Sequence, residues 1–174
     1  MIEIRKATAA DVDGICRVCA AGWRDAYTGL LPAAYIEQAI TEFYNPARVA
    51  AEVADPQGWD GWWVAVERGL VVGAGGGGLP APGTGELFVL YIDPARRGEG
   101  IGTRLLAAIT QEELAQGARE QWVSVAKGNR KGIPFYEARG FRPYHEQAIY
   151  NSRPEDGVVS VRYQRALDGA RQTR

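Results

Sequence analysis

Residues 90–106 read Leu90-Tyr91-Ile92-Asp93-Pro94-Ala95-Arg96-Arg97-Gly98-Glu99-Gly100-Ile101-Gly102-Thr103-Arg104-Leu105-Leu106, a strand end, a glycine-rich turn and a helix start. The strand runs Glu86 to Ile92 and is dominated by Leu87, Phe88, Val89, Leu90 and Tyr91. Apolar residues on both of its faces predict the centre of a sheet covered on both sides. Asp93 and Pro94 end it. From Gly100, the residues Ile101, Leu105, Ala108 and Ile109 form a helical stripe that should stop at Gln116 and Gly117. Between strand and helix lie Arg97, Gly98, Glu99, Gly100, Ile101, Gly102 and Thr103. Glycines there let several backbone N–H groups point into one concavity, and the helix dipole adds positive potential, so a pyrophosphate could bind without many cationic side chains. A triphosphate loop fits poorly, because no Lys follows Gly102 and Arg104 follows Thr103. A dinucleotide fingerprint would sit after the first strand of a repeated βαβ unit, which this stretch does not.

Outward from the turn, the N-terminal part opens with Ile2 and Ile4 alternating with Glu3 and Arg5, a strand ending near Lys6. Thr8 followed by Asp11 has the form of a capping box and predicts a helix from there to about Tyr27. Its stripe is Val12, Ile15, Cys16, Cys19, Trp23, Ala26 and Tyr27. Pro32 stands at a second helix start, through Tyr35, Ile36 and Ile40, and a third helical piece follows Pro46. Trp62 to Glu67 is β-prone, Arg68 and Gly69 supply a turn, and Leu70 to Gly78 can return as a hairpin arm. The run Gly75 to Gly78 weakens that arm; it is read as a flexible loop entrance continued by Pro80, Pro82, Gly83 and Gly85.

Beyond the turn, Gln121 to Ala126 makes another strand, and a short helix through Phe135, Tyr136 and Ala138 stops at Gly140. Two final strands are expected around a turn at Pro154 to Gly157, the last carrying Val159, Val161 and Tyr163 in alternation. Residues 1–167 are read as one mixed α/β domain and 168–174 as a polar, frayed tail.

Bulk composition narrows the function classes. The 174 residues, 46% hydrophobic and 24% charged, suit one core without disulfide or metal support. Lys and Arg number 20 against 21 Asp and Glu, so the net charge of -1 supplies no general field for nucleic acid or an anionic membrane. No apolar run approaches the roughly 20 residues of a bilayer span, and the opening residues lack a basic leader and an h-region, which predicts a cytoplasmic protein. Cys16 and Cys19 have C-x-x-C spacing, yet both fall on the apolar helical stripe, where they read as small hydrophobes. With a single His in the chain, no metal site is expected.

Arg97 to Gly102 has the form Arg-x-x-Gly-x-Gly, and Asn129 is followed at set spacing by Phe135, Tyr136, Glu137, Gly140 and Phe141. With these two stretches the chain closely resembles the GNAT superfamily of N-acetyltransferases along most of its length. Gly132 stands where Ala is usual and Pro134 removes an amide near the helix start, departures that bear on where that helix begins. The resemblance implies a GNAT-like acyl-CoA N-acyltransferase fold: a central, mostly antiparallel sheet of about six to seven strands with a splayed central pair and helices on both faces. It implies acetyl-CoA as co-substrate, attack by a primary amine on the thioester in a ternary complex, and no metal. Leu90, Tyr91 and Ile92, the turn residues Arg97, Gly98, Gly100, Ile101, Gly102 and Thr103, and Asn129 would bind the cofactor. Tyr136 would contact it and protonate the departing thiolate. Glu86, four residues before Leu90 and placed on the same side by strand period, would serve as base or substrate anchor. Trp23, Tyr27 and Tyr35 would line the amine pocket, with core packing the stronger expectation for Trp23. His145 is given no role.

The expected partner is a small-molecule amine. The alternatives are a protein N-terminal or lysine acetyltransferase, with the Gly73 to Gly85 region opening a peptide groove, and a non-catalytic acetyl-CoA sensor. Oligomeric state is open, a homodimer being one expectation.

Overall fold

A computed structural model of the chain describes residues 1–148 and 159–167. The turn expected at Pro154 to Gly157 and the tail 168–174 lie outside the described residues. In chain order the elements are β1 (Glu3–Lys6), α1 (Val12–Tyr27), α2 (Ala33–Phe43), α3 (Pro46–Ala54), β2 (Trp63–Glu67), β3 (Leu70–Ala81), β4 (Thr84–Ile92), α4 (Ile101–Ala115), β5 (Glu120–Ala126), α5 (Gly132–Ala138), β6 (Arg142–Ala148) and β7 (Val159–Ala166). The described strands form one seven-stranded sheet in the order β1-β2-β3-β4-β5-β7-β6. Only β4 and β5 run parallel; every other neighbouring pair among the described strands is antiparallel.

Local chemistry sets the helix starts. The Asp11 carboxylate accepts from the Thr8 N–H at 2.8 Å, capping a 3₁₀ turn over Ala9–Asp11 that feeds α1. Pro32 is the cap residue immediately before α2, and Asn45 accepts from the Arg48 N–H at 2.9 Å at the head of α3. Helix α1 buries Ile15, Val18 and Cys19 against one face of the sheet, together with Val49 of α3 and Val64 of β2. Burial pushes the Cys19 thiol well up and the half-buried Cys16 thiol up too, so both pack rather than react. Helices α4 and α5 cover the opposite face through Leu106, Ile109 and Tyr136, which meet Leu87, Val123 and Tyr163 of the sheet.

The glycine run is not a loop. Gly75 to Gly78 are all buried inside β3. A methyl on Gly75 would come within 2.8 Å of the Val89 carbonyl oxygen, and one on Gly77 would strike the Glu86 carbonyl and the Glu113 carboxylate. On the other face, a methyl on Gly76 would lie 2.6 Å from the Trp59 ring, where the Asp60 N–H donates to the Gly77 carbonyl at 2.8 Å. Glycine is required because neighbours crowd the strand from both sides. The expected opening for a peptide at this run is therefore filled by packed sheet.

The strand period in β4 is also broken. Gly76 pairs with Val89 but Gly77 pairs with Leu87, so Phe88 is an extra residue, a β-bulge. Leu87 and Leu90 both face α4, whereas Glu86 points to the opposite face, where its partner Gly78 meets Trp59. Glu86 and Leu90 thus do not share a side, contrary to the unbroken period. Helices cover β4 on both faces as expected, through Val89 and Tyr91 on the α1 side and Leu87 and Leu90 on the α4 side; the bulged Phe88 interrupts that cover and is 47% exposed.

Candidate active site

The pairing of β4 with β5 extends only from Thr84↔Glu120 to Leu87↔Val123. Beyond it the strands part. Across the other edge of β4, the Asp93 N–H donates to the Val72 carbonyl at 2.9 Å, so Ile92 and Gly73 form a non-hydrogen-bonded pair. The N–H and C=O of Ile92 therefore point away from β3, and the two-residue repeat aims those of Leu90 the same way. Both face a cleft of about 170 Å³ lined by Leu90, Tyr91 and Ile92 from β4, Ser124 and Val125 from β5, and Tyr27, Arg97, Gly102, Asn129, Lys131, Phe135 and Tyr136. Backbone groups at this depth need partners, and among the described residues no strand supplies them there.

At one end of the cleft the turn is built as its glycines predict. The Asp93 carboxylate accepts from the Ala95 N–H at 3.0 Å and starts a 3₁₀ turn over Pro94–Arg96. Gly98 and Gly100 both have φ of +79°, and Gly100 caps α4 in the left-handed region that favours glycine. The first intrahelical donor is the Arg104 N–H, to the Gly100 carbonyl at 3.1 Å. The amides of Ile101, Gly102 and Thr103 consequently open the helix without a partner inside it, a ready anion site. Arg96 is tied back to Glu99 and Glu67, at 2.8 and 3.2 Å. Arg97 faces the cleft and pairs with Asp25 at 2.8 Å; Lys131 reaches the same carboxylate at 2.6 Å. The hydrogen bond from Lys131, opposed by partial burial and helped by the Arg97 charge, holds the Asp25 carboxyl below the usual range.

Tyr136 is buried and stands on the cleft, its ring edge-on to Phe135 and Phe141 at 5.1 and 5.5 Å. Burial pushes its phenol well up, so it holds its proton at neutral pH. The Asn129 side-chain oxygen accepts from the Lys131 and Gly132 N–H groups at 3.1 and 2.9 Å, capping the start of α5. The departures from the family pattern fit this cap. A methyl at Gly132 would lie 2.8 Å from the Asn129 amide nitrogen, and Pro134 sits in the first turn, where no intrahelical N–H is needed. Tyr27 lines the cleft with its hydroxyl 3.3 Å from that of Tyr91. Trp23 packs behind it, 4.7 Å from the Tyr27 ring, and donates from Nε1 to the Tyr44 hydroxyl at 3.0 Å. Tyr35 is half-buried on α2 and is not among the residues lining the cleft.

Glu86 lies in a second concavity, with Thr84, Glu120, Trp122, His145 and Arg162. Both of its oxygens are taken by Arg162, at 3.0 and 2.5 Å. Arg162 also donates to the Ser124 hydroxyl at 2.8 Å and lies 5.2 Å from the Trp122 ring centre. Because Ser124 lines the first cleft, this arginine joins the two concavities. The structure thus brings Leu90, Tyr91, Ile92, Arg97, Gly102, Asn129, Tyr136 and Tyr27 onto one cleft, leaves Gly98, Gly100 and Thr103 in the adjoining turn and helix start outside its lining with the Ile101 side chain in the core, and sets Glu86 on the other face. Asp25, Lys131 and the Arg162–Ser124 link escaped sequence reasoning, since their partners lie far away in the chain.

The closed end of the β4–β5 wedge hides a further group with no sequence signal. Glu113 of α4 is 0% exposed; Gln121 donates to it at 3.0 Å and to Thr110 at 3.1 Å, and Arg165 donates to Gln121 at 2.9 Å. Burial pushes the Glu113 carboxyl up to about 8.

Comparison with known proteins agrees with this geometry. The chain matches the Acetyltransferase (GNAT) family over residues 23–141, more than half of its length. It is 28% identical over 143 residues to spermidine N(1)-acetyltransferase of Thermoplasma acidophilum, covering 81% of this chain and 88% of that one. It is 31% identical over 72 residues to mycothiol acetyltransferase of Kocuria rhizophila, covering 41% of this chain and 24% of that one. The chain spans about a quarter to a third of the length of the mycothiol acetyltransferases it matches. In architecture it is similar to the PaiA N-acetyltransferase of Thermoplasma acidophilum in complex with coenzyme A, with a TM-score of 0.80 and 22% identity over 96% of this chain and 99% of that one.

Proposed function

The chain belongs to the Acetyltransferase (GNAT) family, and on that premise we propose that it transfers the acetyl group of acetyl-CoA to a primary amine of a small molecule. The observation that carries the reading is the pair of unpartnered backbone groups, at Leu90 and Ile92, in a cleft that ends at the open amides of Ile101, Gly102 and Thr103. A pantetheine arm has amides for the first and a pyrophosphate for the second. Arg97 and Lys131 add cationic donors at the same end. The solved PaiA relative with coenzyme A supports this choice of donor.

When bound, acetyl-CoA supplies an electrophilic thioester: the amine nitrogen forms a bond to its carbonyl carbon, the carbon–sulfur bond breaks, and the thiolate leaves. The Leu90 and Ile92 peptide N–H groups face the cleft, where they would hold the acyl and pantetheine carbonyl oxygens. Tyr136 keeps its proton through burial and donates it to the sulfur as the thiolate departs. Glu86 acts through Arg162, which it holds in place, rather than as the base, because Arg162 occupies both of its oxygens. The Glu86–Arg162–Ser124 chain then orients the acceptor side of the cleft; the amine proton is released to solvent, and one proton taken up from solvent returns the Tyr136 phenolate to its neutral form.

Thiol release from acetyl-CoA over a panel of amines tests the reading, and the spermidine acetyltransferase relative puts polyamines first in that panel. Release with at least one amine is expected. Tyr136→Phe should lower kcat by roughly 100-fold while changing CoA affinity by less than about threefold. Calorimetric CoA binding without turnover on any amine would instead mark a sensor, and unchanged kcat in the Phe variant would remove Tyr136 from the proton transfer.

A further inference from the structure

Three segments distant in sequence meet at one oxygen. Oδ2 of Asp25, in the last turn of α1, accepts from Arg97 Nη2 at 2.8 Å and from Lys131 Nζ at 2.6 Å. Arg97 belongs to the turn ahead of α4, on the β4 wall of the wedge; Lys131 precedes α5, on the β5 wall. Both cations line the cleft, so the carboxylate ties its two walls together across the mouth. It also lies in the final turn of a helix, where the macrodipole disfavours a negative charge, so nothing local to α1 calls for it. The three side chains remain 29–48% exposed, and ion pairs this wet are individually weak and exchange readily.

We propose that Asp25 is a positioning residue of the donor site, one that competes with the donor's phosphates for Arg97 and Lys131. The inference rests on the acetyl-CoA reading of the cleft. Phosphate oxygens take charge-assisted hydrogen bonds from the same nitrogens, so a bound pyrophosphate and the Asp25 carboxylate cannot both hold the two cations fully, and their like charges repel. Asp25 therefore keeps donor affinity below what the two cations could give and recaptures them as spent CoA leaves. Its effect is confined to ligands that carry phosphate.

The test compares the wild-type protein with Asp25→Asn, titrating CoA and, separately, pantetheine, which has the same thiol and amide arm without phosphates. CoA should bind about three- to tenfold more tightly to the variant and dissociate correspondingly more slowly, with pantetheine affinity unchanged within twofold. A melting temperature on both proteins separates this from loosening of the fold, which would not favour one ligand over the other. Unchanged or weaker CoA binding overturns the proposal, as does equal tightening for pantetheine. If wild type binds CoA and the variant does not, Asp25 aligns the cations and the competition is wrong while the donor reading stands. CoA binding to neither protein overturns the donor reading and the competition with it.

Discussion

The two ends of the β4–β5 pair are held by opposite means. At the closed end, Thr84–Leu87 and Glu120–Val123 pair in parallel above a buried polar network of Glu113, Gln121, Thr110 and Arg165. At the open end, the peptides of Leu90 and Ile92 face a cleft, and the charges at its mouth, Asp25, Arg97 and Lys131, are half in water. A buried polar group costs several kcal/mol when its partner is lost, so the closed end has one geometry. Wet ion pairs cost about 1 kcal/mol or less to exchange, so the open end can trade partners. The bulge at Phe88 separates the two regimes within one strand by resetting which residues face α4.

The comparison is broken most severely at the closed end. Gly77→Val would drive a side chain into the Glu86 carbonyl and Glu113, costing about 3 kcal/mol. Thermal denaturation should show a Tm lower by roughly 6–12 °C for a chain of this size. An unaltered Tm would mean that β3 can shift away from β4 there.

Glu113 sharpens the contrast through pH. Its folded value of about 8 lies above the ordinary 4.5, so the folded chain keeps a proton that the unfolded chain releases. The stability due to this group is therefore fully present below about 4.5 and is lost as pH rises to about 8. Glu113→Gln removes the slope. Relative to wild type, the variant should gain about 3–4 kcal/mol between pH 5 and pH 8, read from urea unfolding at each pH. Parallel pH profiles for the two proteins would show that the carboxyl is ionised in the fold.

The smallest effect belongs to the open end. Asn129→Ala removes the cap from α5 and should cost about 1 kcal/mol, lowering Tm by roughly 2–4 °C. A loss as large as that of the glycine variant would make the open end as rigid as the closed one.

Much of this arrangement is legible along the chain, though unevenly. Thr8 and Asp11, Pro46, and the glycines after Arg97 act within a few residues of themselves, and each produces the cap, helix start or turn expected of it. Tyr136 and Asn129 reach the cleft because the spacing from Asn129 to Phe141 builds one short helix and its cap. The run Gly75 to Gly78 misleads because glycine carries no side-chain period; what makes it a strand is the crowding by Val89, Trp59 and Glu113. Glu86 misleads because a bulge leaves no mark in an apolar strand, yet it turns every preceding side chain to the other face.

The sequence by itself determines the strand–turn–helix of residues 86–115, the left-handed glycines that open the α4 amides, and the family to which the two motifs point. These are matters of backbone dihedrals, caps and short-range periodicity, whose forces act over a few residues. Only the tertiary structure decides that β4 and β5 part after Leu87, that Glu86 belongs to Arg162, and that one carboxylate at Asp25 holds both Arg97 and Lys131. Those partners are 76, 72 and 106 residues apart. Contacts over such separations depend on how the sheet is ordered and where its strands diverge, which no local rule encodes.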